Sequence, residues 1–134
     1  MPVWSLANIA GMRLPEFCKA QNLPYDQKAM DEIFLQTRDA AYRIIERKGS
    51  TYYAVAAGLM RITQAILRDQ STVLSVSSLI HDYYGISDVY LSLPTVIDRR
   101  GVENVLRLEL SPDEIEKLRL SAVTLKAVVE KLKL

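Results

Sequence analysis

The stretch that decides the fold is Ser71–Leu110, STVLSVSSLIHDYYGISDVYLSLPTVIDRRGVENVLRLEL. Three runs in it, STVLSVSSLI, SDVYLSLPTVI and VENVLRLEL, alternate apolar with other residues, as at Leu74/Val76, Val89/Leu91/Leu93 and Leu106/Leu108/Leu110. A period of two is the mark of a strand with one face buried. HDYYG and DRRG separate the runs, and Gly85 and Gly101 supply residues that accept a positive φ at the turns. Connections this short join strands antiparallel, so the stretch is expected to form a three-stranded meander in chain order.

On both sides of this stretch the period changes to that of a helix. Between Asp26 and Lys48, the residues Ala29, Met30, Ile33, Phe34, Ala40, Ala41, Ile44 and Ile45 make one apolar stripe, with Asp26 placed to cap the helix and Gly49 to end it. Asp31, Glu32, Asp39, Arg43, Glu46 and Arg47 fall mainly on the opposite side and read as a solvated face. A second helix is expected from Ser50 or Thr51 to about Arg68. Its small residues Ala54, Ala57 and Gly58 allow close approach of another backbone, and its first charge is Arg61, so its first half is expected to be buried. After the strands, Ser111-Pro112-Asp113-Glu114 opens a last helix with a cap, a proline at the first helical position and a capping box. Ile115, Leu118, Ala122, Leu125, Val129 and Leu132 then repeat as a core or interface stripe. The fold class is α+β: two long helices, a three-stranded antiparallel meander and a C-terminal helix, in one domain over 1–134.

Composition excludes several classes of function. The chain has 134 residues, 49% of them hydrophobic, and a net charge of +1 with the signs interspersed, so no basic field points to nucleic acid or to an anionic membrane. Its single cysteine, Cys18, cannot close an internal disulfide, which fits a reducing, cytoplasmic compartment. Cys18 itself reads as a small buried residue. No run approaches the roughly 20 apolar residues of a membrane span, and MPVWSLANIAGMRLPEF lacks the pattern of a signal peptide.

Most constellations that carry chemistry are missing. The five glycines, at 11, 49, 58, 85 and 101, are too scattered for a G-x-G-x-x-G or a Walker loop, so no phosphate cradle is encoded. One cysteine and one histidine do not make a zinc site, and no metal is expected. His81, at a strand end beside Asp82, reads as a surface or turn histidine rather than a general base. One feature stands out, Lys48–Tyr53, KGSTYY. A helix start carries unpaired N–H groups and the positive end of the macrodipole, and the Thr51 hydroxyl adds a donor, so an anion such as a carboxylate would be favoured there. Val55, one turn on, offers an apolar wall. The alternative is that Ser50 caps a buried helix and nothing binds.

MPVWS, RDAAYRIIERKGSTYYAVAAGLMRITQAIL, VLSVSSLIHDYYGISDVYLSLPTVIDRRGV and LRLELSPDEIEKLRLSAVTLKAVV together resemble the C-terminal portion of bacterial L-lactate dehydrogenases, over essentially the whole chain. The resemblance implies that Thr51 lines a substrate pocket, that Ala41, from DAAY, faces it from the preceding helix, and that Val55 packs on the nicotinamide side of NAD. It implies no catalytic residue in this chain, because PVWS in that family follows the segment carrying the catalytic histidine. The nucleotide-binding domain, the substrate-anchoring arginine, the mobile-loop arginine and the aspartate that orients the histidine are likewise outside the pattern matched.

The expectation is therefore the substrate-side part of an NAD-dependent L-lactate dehydrogenase, with a 2-oxo or 2-hydroxy acid as substrate in the parent enzyme. Alone, the chain is expected to be inactive, to bind no cofactor tightly, and to form a homo-oligomer through apolar surface left bare around the first turns after Thr51. Within the enzyme class the rival is malate or another 2-hydroxy-acid dehydrogenase, against which KGST rather than KGSA counts. In a different class, the chain would be a non-catalytic α+β interaction module.

Overall fold

The computed structural model describes residues 1–132. It is α+β, and its contacts gather into two compact units, one formed by Pro2–Ala57 and one by the chain from Gly58 onward.

The first unit opens with a 3-10 turn, Trp4–Leu6, and a hairpin of β1 (Asn8–Ile9) with β2 (Met12–Arg13), followed by α1 (Leu14–Ala20) and α2 (Gln27–Lys48). The hairpin closes through Ala10 and Gly11, both left-handed at φ 52° and 79°, the conformation that matches strand twist in a two-residue loop. Nothing in the sequence periodicity marks these pieces, because elements of two to seven residues are shorter than the window in which a period can be counted. The long helix has the ends its sequence predicts, but its stripe does not separate a buried from a solvated side: Ile33, Ile44 and Ile45 are exposed while Asp39 is half-buried. Asp26 Oδ1 accepts from the Lys28 amide at 2.9 Å, and Gly49, at φ 82°, returns its N–H to the Ile45 carbonyl at 2.7 Å. Cys18, expected to be buried, is half-buried on α1.

Helix α3 (Tyr53–Leu67) starts two to three residues later than expected, and its burial reverses the expectation drawn from its composition. Tyr53, Val55, Leu59 and Met60 are exposed, and the buried residue of α3 is Ala65, near its end. A helix apolar on all sides is one that must be covered, but its sequence is silent on whether the cover belongs to the same chain. Every buried residue among those described lies from Ala65 onward.

The core therefore belongs to the second unit. Strands β3 (Thr72–Ile80), β4 (Val89–Asp98) and β5 (Gly101–Val105) form an antiparallel sheet in the order β3-β4-β5, the predicted meander. In β4 Val89, Leu91, Leu93, Thr95 and Ile97 are buried, while of the residues between them Tyr90 and Ser92 are exposed and Pro94 and Val96 half-buried. Ile80, Tyr83, Ile86, Val89, Leu91 and Leu93 join Leu118 and Ala122 of α4 (Pro112–Lys131) in one cluster. Helix α4 carries its predicted start: the Ser111 amide donates to Glu114 Oε2 at 2.9 Å and the Glu114 amide to Ser111 Oγ at 3.4 Å. Its apolar stripe is buried only in its first half. Leu118 and Ala122 are in the core, whereas Leu125, Val129 and Leu132 are exposed.

The third strand is shorter than the alternation through Leu110 predicts, and Pro94 is the reason. Proline in a central strand removes a ladder donor. The Pro94 carbonyl accepts from the Leu106 amide at 2.9 Å, so this residue faces β5, and its missing N–H is the group that would have returned a bond to the Leu106 carbonyl. Tyr83 supplies that bond instead. Its hydroxyl donates to the Leu106 carbonyl at 3.2 Å and accepts from the Leu108 amide at 2.9 Å. Tyr84 repeats the arrangement one step on, donating to the Leu108 carbonyl at 2.6 Å and accepting from the Leu110 amide at 3.4 Å. Both tyrosines sit on the turn after β3, where Tyr84 (φ 54°) and Gly85 (φ 76°) close a loop between Tyr83 and Ile86. The Arg119 side chain of α4 donates twice to the Tyr84 carbonyl, each at 3.2 Å, which ties the helix to that turn.

At the other end of the sheet, Asp98 closes the β4–β5 hairpin. Its carboxylate is nearly buried and accepts from the Arg100 amide at 2.7 Å and from the Arg100 guanidinium at 2.8 and 3.1 Å. The side-chain bond from Arg100 and then its backbone N–H hold the Asp98 carboxyl below the usual carboxylate range. Asp69 joins in by accepting from the Arg99 amide at 3.1 Å and pairing with its guanidinium at 2.9 Å.

Two consequences can be measured. Tyr83→Phe leaves a carbonyl and an amide without their partner and is expected to cost about 1–3 kcal/mol in chemical denaturation; an unchanged midpoint would show that water replaces the hydroxyl at no cost. Because the folded carboxyl of Asp98 titrates below its unfolded value of about 3.9, its contribution is complete above that pH and is lost as pH falls through the lower folded value. Stability followed from pH 5 to pH 2 is therefore expected to fall less steeply in Asp98→Asn than in the unsubstituted chain. Parallel curves would remove Asp98 from the acid response.

Candidate functional site

The residues singled out by sequence, Ala41, Thr51 and Val55, all lie in the Pro2–Ala57 unit, around the corner where α2 gives way to α3. Gly49 makes that corner by ending α2 in a left-handed conformation. Ser50 and Thr51 then cross in extended or bent backbone, and Tyr52 opens α3 by accepting the first helical bond, from the Ala56 amide at 2.8 Å.

Thr51 is half-buried, just outside the helix rather than within its first turn. The expectation that Ser50 or Thr51 begins the helix is corrected by two to three residues, and among the described residues neither hydroxyl is found in a capping bond. Among the described residues no side chain accepts from the amides of Tyr53, Ala54 or Val55, and the first turn of α3 has no acidic residue. Three N–H groups at the positive end of a 15-residue helix are thus left to an outside acceptor. Val55 stands exposed on the first turn. Ala41 is exposed on α2, about 10 Å along the helix axis before Lys48 at the rise of an α-helix.

Aromatic rings border the corner. Tyr52 and Tyr53 pack at 4.8 Å between centroids, and Lys48 Nζ lies 5.7 Å from the Tyr53 ring centroid. Sequence reasoning passed over both tyrosines, although YY directly after a helix start was a visible signal. Lys48, through its place over the Tyr53 ring, gives the corner a positive charge, which again suits an anion.

The remaining candidates do not form a second site. His81 is exposed just past β3. No group of three or more His, Cys, Asp or Glu residues that could hold a metal is present among the described residues. No helix among them is long and apolar enough to cross a membrane.

Comparison with known proteins gives this corner its context. The family described as lactate/malate dehydrogenase, alpha/beta C-terminal domain, matches residues 1–133. The L-lactate dehydrogenase of Priestia megaterium is 48% identical over 125 residues, covering 93% of this chain and 39% of that protein. L-lactate dehydrogenase 1 of Enterococcus faecalis is 46% identical over 129 residues, covering 96% of this chain and again 39% of the relative. Among solved structures, a lactate dehydrogenase from a Medee basin deep-sea metagenome library superposes with a TM-score of 0.91 at 32% identity, over 98% of this chain and 42% of that one. The minor L-lactate dehydrogenase of Enterococcus mundtii gives 0.89 at 29% identity, over 96% and 41%. This chain spans about two fifths of the length of these relatives. With a family match over nearly every residue and relatives near half identity, the chain belongs to the lactate/malate dehydrogenase family, of which it carries the alpha/beta C-terminal domain.

Proposed function

We propose that this chain is the substrate-side domain, 1–134, of an NAD-dependent L-lactate dehydrogenase that interconverts pyruvate and L-lactate in the cytoplasm, as a step of glycolysis. The observation that carries the reading is the match over residues 1–133 together with curated relatives that are L-lactate dehydrogenases. The corner at Thr51 supports it chemically. A 2-oxo acid carries a carboxylate, and the free amides of Tyr53, Ala54 and Val55, the Thr51 hydroxyl and nearby Lys48 are donors or positive charges of the kind a carboxylate needs.

Each site residue then has a limited task. Thr51 lines the pocket and donates to substrate. Ala41, lacking a side chain beyond Cβ, leaves room for it. Val55 offers an apolar wall on the nicotinamide side. None of the three can transfer a proton, so acid–base catalysis belongs to residues outside this chain. NAD, when bound to the complete enzyme, supplies the hydride exchanged with the substrate C2 atom. The scattered glycines provide no cradle for its pyrophosphate, so this chain contributes to the ring side of the cofactor only. The apolar residues bared on α3, Val55, Leu59 and Met60, suit a nucleotide-binding domain as their cover. Thr51, in place of the serine or alanine common in the malate-type branch, favours pyruvate over oxaloacetate.

The test is a graft. The chain alone is expected to give no NADH oxidation with pyruvate above a protein-free blank. Substituted for the matching segment of the Priestia megaterium enzyme, it is expected to sustain turnover with pyruvate in preference to oxaloacetate. A folded but inactive graft would sink the dehydrogenase reading in favour of a non-catalytic module, and a preference for oxaloacetate would move it to the malate branch. In the active graft, Thr51→Val keeps the shape and removes the hydroxyl, and a loss of about 1–3 kcal/mol in kcat/KM is expected. Unchanged kinetics would reduce Thr51 to a structural role.

A further inference from the structure

The two units differ in what holds them. The buried residues among those described lie between residues 65 and 122, all in the second unit. There the polar ties also reach far along the chain: Tyr83 to Leu106, Tyr84 to Leu108, Arg99 to Asp69 and Arg119 to Tyr84 join residues 23 to 35 positions apart. Breaking one such tie loosens elements distant in sequence, so these elements open together or not at all.

In Pro2–Ala57 the ties are short. Asn8, Gln27, Thr37 and Arg43 hydrogen-bond through their side chains to residues two to seven positions away, and Arg38 pairs in the open with its neighbour Asp39. Every one of residues 41–50 is exposed, so the last two turns of α2 pack on nothing. A helix without a packed face is marginal in water, because its own hydrogen bonds offset little more than the entropy of ordering it. The Trp4 indole N–H is also shut off from solvent with no acceptor among the described residues, a further cost borne by this unit.

Helix α3 runs from one unit into the other, and the passage falls at Gly58. About two turns on, Ala65 is fully buried, whereas residues 52–61 are exposed. Glycine is the poorest helix former after proline, and a Cβ on Gly58 would meet nothing within 4 Å, so no close approach within this chain requires it.

We propose that α3 gives way at Gly58 and that Pro2–Ala57 orders and disorders independently of the core, so that the Thr51 corner exists only while that unit is ordered. The corner is then a conditional structure. Whatever binds its ordered form draws the equilibrium toward order, and the ordering free energy is subtracted from the affinity. The inference rests on burial and bonding within this chain and not on the dehydrogenase reading.

The experiment is amide hydrogen exchange, followed by mass spectrometry, on the 134-residue chain and its Gly58→Ala variant. Peptides from β3, β4 and the start of α4 are expected to exchange slowly and together, and those from α2 at least about a hundredfold faster. The peptide carrying the amides of Ala56, Ala57 and Leu59 is expected to exchange fast in the unsubstituted chain and about fourfold slower in Gly58→Ala, the effect of alanine for glycine inside a helix, with β4 unchanged. Equal protection of α2 and β4, or fast exchange throughout the chain, would overturn the independence of the two units. So would a gain in Gly58→Ala shared by β4, since α3 would then open only with the core. Exchange at Ala56, Ala57 and Leu59 unaltered by the substitution would remove Gly58 as the point where order gives out.

Discussion

The Tyr83 hydroxyl is the interaction on which the second unit depends. Pro94 stands in the middle strand of a three-stranded sheet and cannot give the hydrogen bond its position calls for. A carbonyl withdrawn from water and left without a donor costs about 1–3 kcal/mol, and the Leu106 carbonyl is partly withdrawn. Tyr83 removes that cost at the Leu106 carbonyl and also takes the Leu108 amide, so the chain leaves the sheet at Val105 without orphaned groups. The path of Leu106–Leu110 and the place where α4 begins follow from this hand-over. The Arg107 guanidinium lies 4.8 Å from the Tyr84 ring centroid and 6.0 Å from that of Tyr83, which holds both rings from the solvent side.

This hand-over also marks the limit of what was legible in the sequence. The meander, both turn glycines, the bounds of α2 and the capping box of α4 follow from local rules, because each depends on residues within about four positions of one another. The end of β5 does not. Leu106, Leu108 and Leu110 alternate as a strand would, yet their backbone is bonded to two tyrosine side chains more than twenty positions earlier. A period of two records which side of the chain is buried, and a side-chain ladder can satisfy the same pattern as a strand. The first unit shows the opposite limit, since its hairpin and α1 are too short to leave a periodic trace.

The candidate site was legible in part. KGST located the corner, because Gly49 must end one helix for Thr51 to stand before the next. The position of the helix start was missed, since a threonine is a common cap and the sequence does not distinguish a residue that caps from one that stands outside with its hydroxyl unused. Burial was misjudged for a different reason. The absence of charge before Arg61 says that the first turns of α3 are made to be covered, but cover and covered need not share a chain. In this chain, which spans about two fifths of the length of its relatives, Val55, Leu59 and Met60 of α3 are exposed.

That exposure has a consequence for the chemistry of the corner. At a solvent-exposed helix end, an anion gains only about 0.3–1 kcal/mol from the dipole, because water screens the charge and competes for the amides. That gain corresponds to binding weaker than a cell's metabolite concentrations would fill. The same three amides, the Thr51 hydroxyl and Lys48 would act far more strongly in a medium of low dielectric, where the attraction between charges rises several-fold. The cover that the apolar residues of α3 call for would therefore do more than hide Val55, Leu59 and Met60. By excluding water it would convert a weak preference for anions into a binding site, so the corner holds the donors while affinity for a carboxylate depends on whatever closes over it.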